Sequence, residues 1–282
     1  MSFISMKRPR LQLISSWLDK KDLLIPTKST CICHCVNQTH VNRNIRNIYI
    51  QDEPEVIIPQ REYMLKNAHL YDHILTWNDT VLRTCPNAIL YLFGGCWIHP
   101  QDREKVNPSE KTFTISTLVG NKRMGQGHIL RQTIYSRQKE ITSIPYTFYR
   151  SRHNTNDIPV ITNNPVFMHD SKFELFRTFQ FSLVIENSKE TNYFTEKLID
   201  CLITKTIPVY WGCPNIGQFF LTEGMILLET DTFEEFNAKL SQLTPEFYAS
   251  KRDYIEENHR RAQLFVSVPA NINRALKQIP NY

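Results

Sequence analysis

The chain lacks any long hydrophobic run. No stretch of its 282 residues approaches the roughly 18 consecutive apolar residues of a membrane-spanning helix, and the longest early run, Leu11 to Leu18, is interrupted by Gln12 and two serines. Lys7, Arg8 and Arg10 resemble the basic start of a signal peptide, but the apolar segment that follows is short and no small-residue cleavage site comes after it. We therefore expect a soluble protein with no signal peptide or membrane anchor.

The chain also lacks blocks of like charge, internal repeats and low-complexity tracts. Its 33 basic and 28 acidic residues are interspersed, and the formal net charge is only +5 at pH 7. A mild positive charge is compatible with an anionic small molecule, whereas neither a basic helix nor an RNA-binding aromatic motif is present. No nucleic-acid partner is expected.

A complete disulfide framework is excluded because the number of cysteines, seven, is odd. The densest group is the segment Cys31 to Cys35, which also contains His34. Neighbouring residues of a strand point to opposite faces, so these side chains cannot all converge on one ion. We interpret them as buried cysteines of a strand in a reducing compartment, and we predict no metal site.

Short β-rich runs alternate with helical or polar stretches, a pattern typical of a parallel sheet with helices on its faces. With 41% hydrophobic and 11% aromatic residues, the chain can build one large domain or two modest ones. The predicted strands are 11–15, 30–36, 47–51, 73–77, 88–93, 113–119, 146–150, 181–186, 207–211 and 225–228, and the predicted helices are 60–68, 129–141, 195–204, 233–243 and 245–265.

A polar, charged stretch at residues 100–111 separates two βαβ series, and we interpret it as a linker. The predicted domains are an N-terminal Rossmann-like domain at 1–105, a C-terminal Rossmann-like domain at 106–265 and a helical tail at 266–282. This is an α/β fold with two Rossmann-like domains facing a cleft. Ligands of open α/β sheets bind at the carboxyl ends of the strands, so the cleft is the expected site.

The segment 181–216 contains a hydrophobic strand, a polar loop, a helix, a second strand and a turn. The first strand ends in the polar residues Glu186, Asn187 and Ser188. Thr195 is a good N-cap for the helix that follows. A helix N-terminus offers free N–H groups and the positive end of a dipole, which together suit a diphosphate.

Two charged residues open this helix, Glu196 and Lys197. A lysine in the first turn is unfavourable next to the helix dipole, so an anionic partner would explain Lys197. Glu196 could accept hydrogen bonds from the two hydroxyls of a ribose. The alternative is an ordinary βαβ unit whose glutamate and lysine are solvated.

The same segment resembles the donor-binding motif of the α-1,3-fucosyltransferases of glycosyltransferase family 10. The family pattern is approximately F-x-L-x-F-E-N-S, a short gap, D/G-Y-x-T-E-K and P-V/I-x-W/L-G. The matching residues are Phe181, Leu183, Glu186, Asn187, Ser188, Tyr193, Thr195, Glu196, Lys197, Pro208, Val209, Trp211 and Gly212. The match is dense and nearly free of gaps, which makes it far more specific than a lone glycine motif.

This resemblance implies a GT-B type fold and an inverting transfer, in which an acceptor hydroxyl attacks the anomeric carbon of GDP-fucose while GDP leaves. Asn187, Tyr193 and Glu196 would orient the ribose or the fucose. Lys197 and the helix N-terminus would hold the diphosphate. From the residues alone we interpret Glu186 as a strand-end acid with its hydrogen bonds satisfied and Trp211 as a core residue.

Arg131 is the candidate for binding the pyrophosphate of the donor. A strand that ends near Asn121, followed by an arginine in the next helix, is similar to the pyrophosphate-binding element of the family. A guanidinium can bind two phosphate oxygens at once. The alternatives are Lys122, Arg123 and Arg137.

Glu53 is the candidate for the catalytic base. The segment Gln51 to Pro54 closes a predicted strand and is similar to the Glu-x-Pro or Glu-Asn element whose glutamate is the base of the family. A base of this kind must lie within hydrogen-bond reach of the attacking hydroxyl. Because the residue between glutamate and proline is missing here, Asp52 and Glu55 remain alternatives.

No Asp-x-Asp pair is present, so Mn²⁺ or Mg²⁺ is not implied, and no cofactor is expected besides the donor substrate GDP-fucose. The expected partners are a nucleotide sugar and a glycan acceptor. Two alternatives remain, a related enzyme that uses another nucleotide sugar and a degenerate protein that only binds nucleotide sugars or glycans. Animal members carry an anchor and a stem that this sequence lacks, so a cytoplasmic protein of the bacterial or viral type is expected.

Overall fold

The structure of the chain is a computed structural model that describes residues 12–13, 31–35, 41, 46–151, 166–167 and 171–279. It divides into two compact units. Unit 1 consists of Met1–Phe93 and Val268–Tyr282, and unit 2 of Gly94–Ser267. The N-terminal segment considered for a signal peptide and the side chains of residues 31–35 lie outside the described residues.

Unit 1 contains a parallel five-stranded sheet. Its strands, in spatial order, are β1 (Gln12–Leu13), β2 (Cys31–Cys35), β3 (Arg46–Ile50), β4 (His73–Thr76) and β5 (Ala88–Leu90). Each strand follows its neighbour in sequence, as expected for successive βαβ connections. The predicted strands of this half of the chain are therefore confirmed, including the strand at the cysteine-rich segment.

Two helices follow β3 and β4 along the chain, α1 (Arg61–Asn67) and α2 (Asp79–Thr84). α1 was predicted, whereas α2 was missed. The feature of the sequence that indicates α2 is Asn78, a favourable N-cap residue. Its side-chain oxygen accepts hydrogen bonds from the N–H groups of Thr80 and Val81 and so caps the helix. Met64 of α1 and Val81 of α2 are fully buried in one hydrophobic cluster with strand residues.

Unit 2 contains a parallel six-stranded sheet. Its strands are β6 (Thr112–Val119), β7 (Tyr146–Arg150), β8 (Val166–Phe167), β9 (Phe179–Ile185), β10 (Ile207–Trp211) and β11 (Ile226–Leu227). Their spatial order is β11-β10-β9-β6-β7-β8, so the chain runs outward from β6 in one direction and from β9 in the other. This is the 3-2-1-4-5-6 order of a Rossmann sheet, whose ligands bind where the order reverses.

The helices of unit 2 are α3 (Pro100–Arg103), α4 (Gln126–Ser136), α5 (Glu196–Ile203), α6 (Phe233–Leu240), α7 (Pro245–Ser250) and α8 (Arg252–Ala262). α5 begins at the Thr195 cap and buries Leu198, Ile199 and Leu202, as its apolar spacing predicts. Trp211 at the end of β10 is a core residue, as interpreted from the sequence. Within the described ranges, no helix is both long and apolar enough to cross a bilayer.

The polar stretch at residues 100–111, interpreted as a linker, belongs to unit 2. Pro100 and Pro108 begin short helical turns, a position where the missing N–H of proline costs nothing. Lys111 is only 7% exposed, and its ammonium donates to the carbonyl of Phe179 and to the Thr206 hydroxyl. The buried ammonium is thus satisfied by neutral oxygen acceptors of the unit.

The last helix, α9 (Val268–Leu276), belongs to unit 1. Ile272, Ala275 and Leu276 are buried, and the side-chain amide of Asn271 donates to the carbonyl of Phe93, 2.9 Å away. The segment expected to form a separate helical tail therefore packs as part of unit 1.

Candidate functional site

The candidate site of unit 2 lies at the carboxyl ends of β6 and β9, where the strand order reverses. α4 follows β6 and begins directly against the end of β9. The N–H of Gly127 donates to the carbonyl of Asn187 at 3.3 Å. A Cβ atom at Gly127 would stand 1.8 Å from the carbonyl oxygen of Glu186, so only glycine allows this approach.

Arg131 lies one turn further along α4 and reaches the same strand end. Its Nη1 donates to the carbonyl of Ile185 at 2.8 Å, and its Nη2 donates to Oδ1 of Asn187 at 3.0 Å. Two of the five N–H groups of a guanidinium are used in these bonds. Burial lowers the pKa of Arg131, and the nearby acids Glu186 and Glu196 oppose that shift. The structure thus brings together Arg131 and Asn187.

Glu186 is a fully buried carboxylate at the N-terminus of α5. Its two oxygens accept from the backbone N–H of Thr195 at 2.9 Å and from the Thr195 hydroxyl at 2.7 Å. The carboxylate packs so closely on the next strand connection that a Cβ atom at Gly212 would lie 2.6 Å from its Cγ. These contacts confirm Glu186 as a strand-end acid with satisfied hydrogen bonds.

Lys197 has anionic partners within the protein. Its ammonium lies 3.3 Å from Oε1 of Glu196, 3.7 Å from Oε2 of Glu186 and 3.1 Å from the Thr195 hydroxyl. The anion inferred for this lysine from the helix dipole is therefore supplied by two carboxylates of the chain. An external diphosphate is not needed to explain a lysine at this position.

Glu196 is also held by a second lysine, Lys172, which was not predicted as a site residue. The ammonium of Lys172 lies 3.6 Å from Oε1 of Glu196 and 3.7 Å from Oδ2 of Asp200. Burial raises the pKa of Glu196, but Lys197 and Lys172 outweigh it and hold the value at about 2. Burial also raises the pKa of Asp200, to about 6, against the pull of Lys172. Glu196 is thus a reliably ionised acceptor at neutral pH.

Asp200 also anchors an exposed tryptophan. The backbone N–H of Trp97 donates to Oδ1 of Asp200 at 2.7 Å, and the Lys172 ammonium lies 5.7 Å from the centroid of the Trp97 ring. Trp97 as a whole is 62% exposed. The preceding Gly94 and Gly95 have φ values of 58° and 88°, which favour glycine. This segment was not predicted as part of the site, although its signal in the sequence is a pair of glycines shortly before an aromatic residue.

His128 is the third residue of α4 and was also missed. Its Nδ1 accepts from the N–H of Gly125 at 3.2 Å, which caps the start of the helix. Burial lowers the pKa of this imidazole to about 4, together with the positive charges of Arg131, Lys122 and Lys197. The side chain is therefore neutral at physiological pH.

Tyr193 lies in the loop between β9 and α5 and is 2% exposed. The backbone of this loop is held by Asn215, whose Oδ1 accepts from the N–H of Asn192 at 2.9 Å and whose Nδ2 donates to Asn192 Oδ1 at 2.8 Å. Asn192 has a φ of 62°, a left-handed conformation that asparagine tolerates better than most residues. Tyr193 is thus part of a fixed loop beside the other predicted donor residues.

The predicted base and its alternatives lie in unit 1, after the end of β3. The backbone carbonyl of Glu53 accepts from the side-chain amides of Gln51 and Gln60, at 3.3 and 3.1 Å. Oε1 of Glu55 accepts from the N–H groups of Gln60 and Arg61, at 3.1 and 2.7 Å. The Glu55 carboxylate therefore caps α1.

Comparison with known protein families shows which family contains the candidate site of unit 2. The family model described as "Glycosyltransferase family 10 (fucosyltransferase) C-term" matches residues 109–267, which is more than half of the chain. The chain belongs to glycosyltransferase family 10. The match covers all the residues expected to bind the donor, and the resemblance drawn from the 181–212 motif is confirmed.

Curated relatives of this family 10 chain carry fucosyltransferase names. GDP-fucose protein O-fucosyltransferase 3 of Xenopus laevis is 43% identical over 68 residues, which are 24% of this chain and 14% of that protein. Alpha-(1,3)-fucosyltransferase FucT of Helicobacter pylori is 40% identical over 50 residues, 18% of this chain and 10% of that protein. A putative fucosyltransferase-like protein of Arabidopsis thaliana is 42% identical over 141 residues, 50% and 25% respectively. The aligned segments thus span a quarter or less of these relatives.

Solved structures share the fold of the family 10 chain. A crystal structure of an alpha1,3-fucosyltransferase with GDP-fucose superposes with a TM-score of 0.54 at 14% identity, over 93% of this chain and 85% of that one. The UDP-forming trehalose-phosphate synthase of Burkholderia xenovorans reaches a TM-score of 0.59 at 9% identity, over 88% and 73%. At such identities the likeness shows the fold alone, and it confirms the predicted α/β fold of the GT-B type.

Proposed function

We propose that the chain transfers fucose from GDP-fucose to a hydroxyl of a glycan acceptor, with inversion at the anomeric carbon. The observation that carries the proposal is the cluster of Arg131, Asn187, Glu196 and Lys197 at the point where the Rossmann sheet of unit 2 reverses its strand order. The relatives support the proposal because they are named fucosyltransferases, and the name of one of them, GDP-fucose protein O-fucosyltransferase 3, includes GDP-fucose.

Arg131 is the group proposed to bind the diphosphate. Two of its N–H groups are fixed on Ile185 and Asn187, so the guanidinium is held in place before a ligand arrives. Its remaining N–H groups can then donate to phosphate oxygens without a large loss of side-chain entropy. Negative charge builds on the leaving GDP as the sugar bond breaks, and a pre-positioned cation stabilises that charge.

Glu196, Asn187 and Tyr193 are proposed to orient the ribose and the fucose. The low pKa of Glu196 keeps its carboxylate ionised, which suits an acceptor for two ribose hydroxyls. The Oδ1 of Asn187 already accepts from Arg131, which leaves its Nδ2 to donate to the ligand. Lys197 is proposed to act with Arg131 on the diphosphate, although it shares its charge with two carboxylates of the protein.

Glu53 is proposed as the base that removes the proton of the acceptor hydroxyl, with Asp52 and Glu55 as alternatives. Glu55 is the less favoured alternative because its carboxylate already accepts two capping hydrogen bonds, whereas a base must be available to the acceptor.

The test is calorimetric titration of the purified chain with GDP, GDP-fucose, UDP and UDP-sugars, without and then with Mn²⁺. GDP and GDP-fucose should bind selectively, and Arg131→Ala should abolish this binding. Arg137→Ala is the matched control, because Arg137 directly follows the same helix but forms ion pairs with Glu140 and Glu234 at 2.6 and 2.5 Å. Selective binding of UDP would refute GDP-fucose as the donor but would leave the glycosyltransferase activity standing. No binding of any nucleotide would refute the whole proposal.

A further inference from the structure

His128 is a buried imidazole with only one of its two ring nitrogens in use. The residue is 5% exposed, and Nδ1 accepts from the backbone N–H of Gly125. In the neutral ring, a nitrogen that accepts a hydrogen bond leaves the proton on the other nitrogen, so Nε2 carries the N–H. Among the residues that the structure describes, none accepts a hydrogen bond from Nε2. The Nε2–H group of this buried residue is therefore left for a ligand.

The surroundings of His128 favour an anion as that ligand. The charged groups that act on it are Arg131 on the next turn of α4, Lys122 in the loop before α4 and Lys197 in the first turn of α5. All three are cations, and they come from three different segments of unit 2. The N-terminal end of α4 adds the positive end of a helix dipole. A neutral N–H donor can bind a phosphate oxygen and, unlike a fourth cation, does not add to the repulsion among these three positive charges.

We propose that the Nε2–H group of His128 donates a hydrogen bond to a diphosphate oxygen of the nucleotide donor, beside the guanidinium of Arg131. The inference deepens the proposed function and rests on it, since it requires a nucleoside diphosphate at the end of β9. His128 is then a binding residue that gives the diphosphate one direction-specific donor, whereas the three cations attract it from several directions. The Gly125 bond holds the imidazole so that Nε2 keeps its proton.

Two amide substitutions test the roles of the two ring nitrogens separately. His128→Asn can place its side-chain oxygen where Nδ1 lies, so it keeps the bond to the Gly125 N–H but offers nothing at the position of Nε2. His128→Gln can place its amide nitrogen near the position of Nε2, so it keeps the donor. A hydrogen bond to a charged group is worth about 10- to 100-fold in affinity.

Calorimetry with GDP, together with competition by guanosine, tests whether His128 binds the diphosphate. His128→Asn should weaken GDP binding about 10-fold or more and leave guanosine binding unchanged, while His128→Gln should stay within about 3-fold of the wild type. Equal GDP affinity in His128→Asn and the wild type would overturn the inference. An equal loss for GDP and guanosine would also overturn it, because a merely structural role would weaken both.

A measurement on the wild type covers the case in which His128→Asn fails to fold. In nitrogen-edited NMR of the imidazole groups, the Nε2 proton of His128 should shift downfield and exchange more slowly on adding GDP, but not on adding guanosine. An unchanged signal in protein saturated with GDP would overturn the inference and leave the proposed function standing. Absence of GDP binding in the wild type would instead refute the proposed function itself.

Discussion

A methyl group at Gly127 has no room, because α4 begins directly against the end of β9. The Cβ atom of an alanine would lie 1.8 Å from the carbonyl oxygen of Glu186, where ordinary contact needs about 3.4 Å. The helix start or the strand end must therefore move by about 1.6 Å. The bond from the Gly127 N–H to Asn187, already 3.3 Å long, would break.

The loss of stability follows from these two effects. Overpacking of this kind costs about 1–3 kcal/mol, and a lost backbone hydrogen bond adds about 1 kcal/mol. A total near 3 kcal/mol lowers the melting temperature by about 6–12 °C in a chain of this size. The same movement shifts Arg131 away from Ile185 and Asn187, so we expect GDP affinity to fall by at least about 10-fold.

Thermal unfolding and GDP titration of Gly127→Ala, with Gly120→Ala as the control, test this reasoning. Gly120 lies in the loop just before α4, and a Cβ atom there would meet nothing within 4 Å. Gly120→Ala should therefore keep both the melting temperature and the GDP affinity of the wild type. If Gly127→Ala matches Gly120→Ala in both measurements, the close approach of α4 to β9 is not what holds the site.

Glu53→Gln should abolish turnover of GDP-fucose with a glycan acceptor while GDP binding persists, since it removes only the proposed base. Glu55→Gln should keep most turnover, and the opposite ranking of the two variants would make Glu55 the base. Burial lowers the pKa of Lys111 to about 7, so the unfolded chain binds more protons than the folded one between about pH 7 and pH 10. The free energy of unfolding of the wild type relative to Lys111→Met should therefore rise with pH in that window, by up to about 1.4 kcal/mol per pH unit, and stay constant below it. A difference between the two proteins that does not change from pH 7 to 9.5 would show that Lys111 stays protonated in the fold.

The strands and the donor motif were predictable because their signals are local. A buried parallel strand is a short apolar run, and β9, α5 and β10 follow one another within a single βαβ unit. Thr195, Glu196 and Lys197 could be placed at the start of α5 from its N-cap alone. The site residues that belong to this unit were therefore assigned without the structure.

The remaining parts of the site depend on side chains that meet across long stretches of sequence. Lys172 reaches Glu196 and Asp200 from a segment before β9, and the charge of Lys197 acts on His128 because α4 and α5 begin at the same edge of the sheet. The proximity of Glu196 and Asp200 was predictable from the sequence, since residues four apart share one face of a helix. The anion inferred for Lys197 was assigned to a ligand because Glu186, eleven residues earlier, cannot be placed beside it by pattern alone.

The return of α9 to unit 1 has a consequence for the order of folding during synthesis. Every residue of unit 2 leaves the ribosome before residue 268, so its Rossmann sheet can form while the chain is still growing. Unit 1 begins to be made first, yet the carbonyl of Phe93 receives its bond from Asn271 only after the whole of unit 2 has been translated. The half of the molecule that is synthesised first is thus completed last, and until then the sheet of unit 1 lacks the buried face of α9.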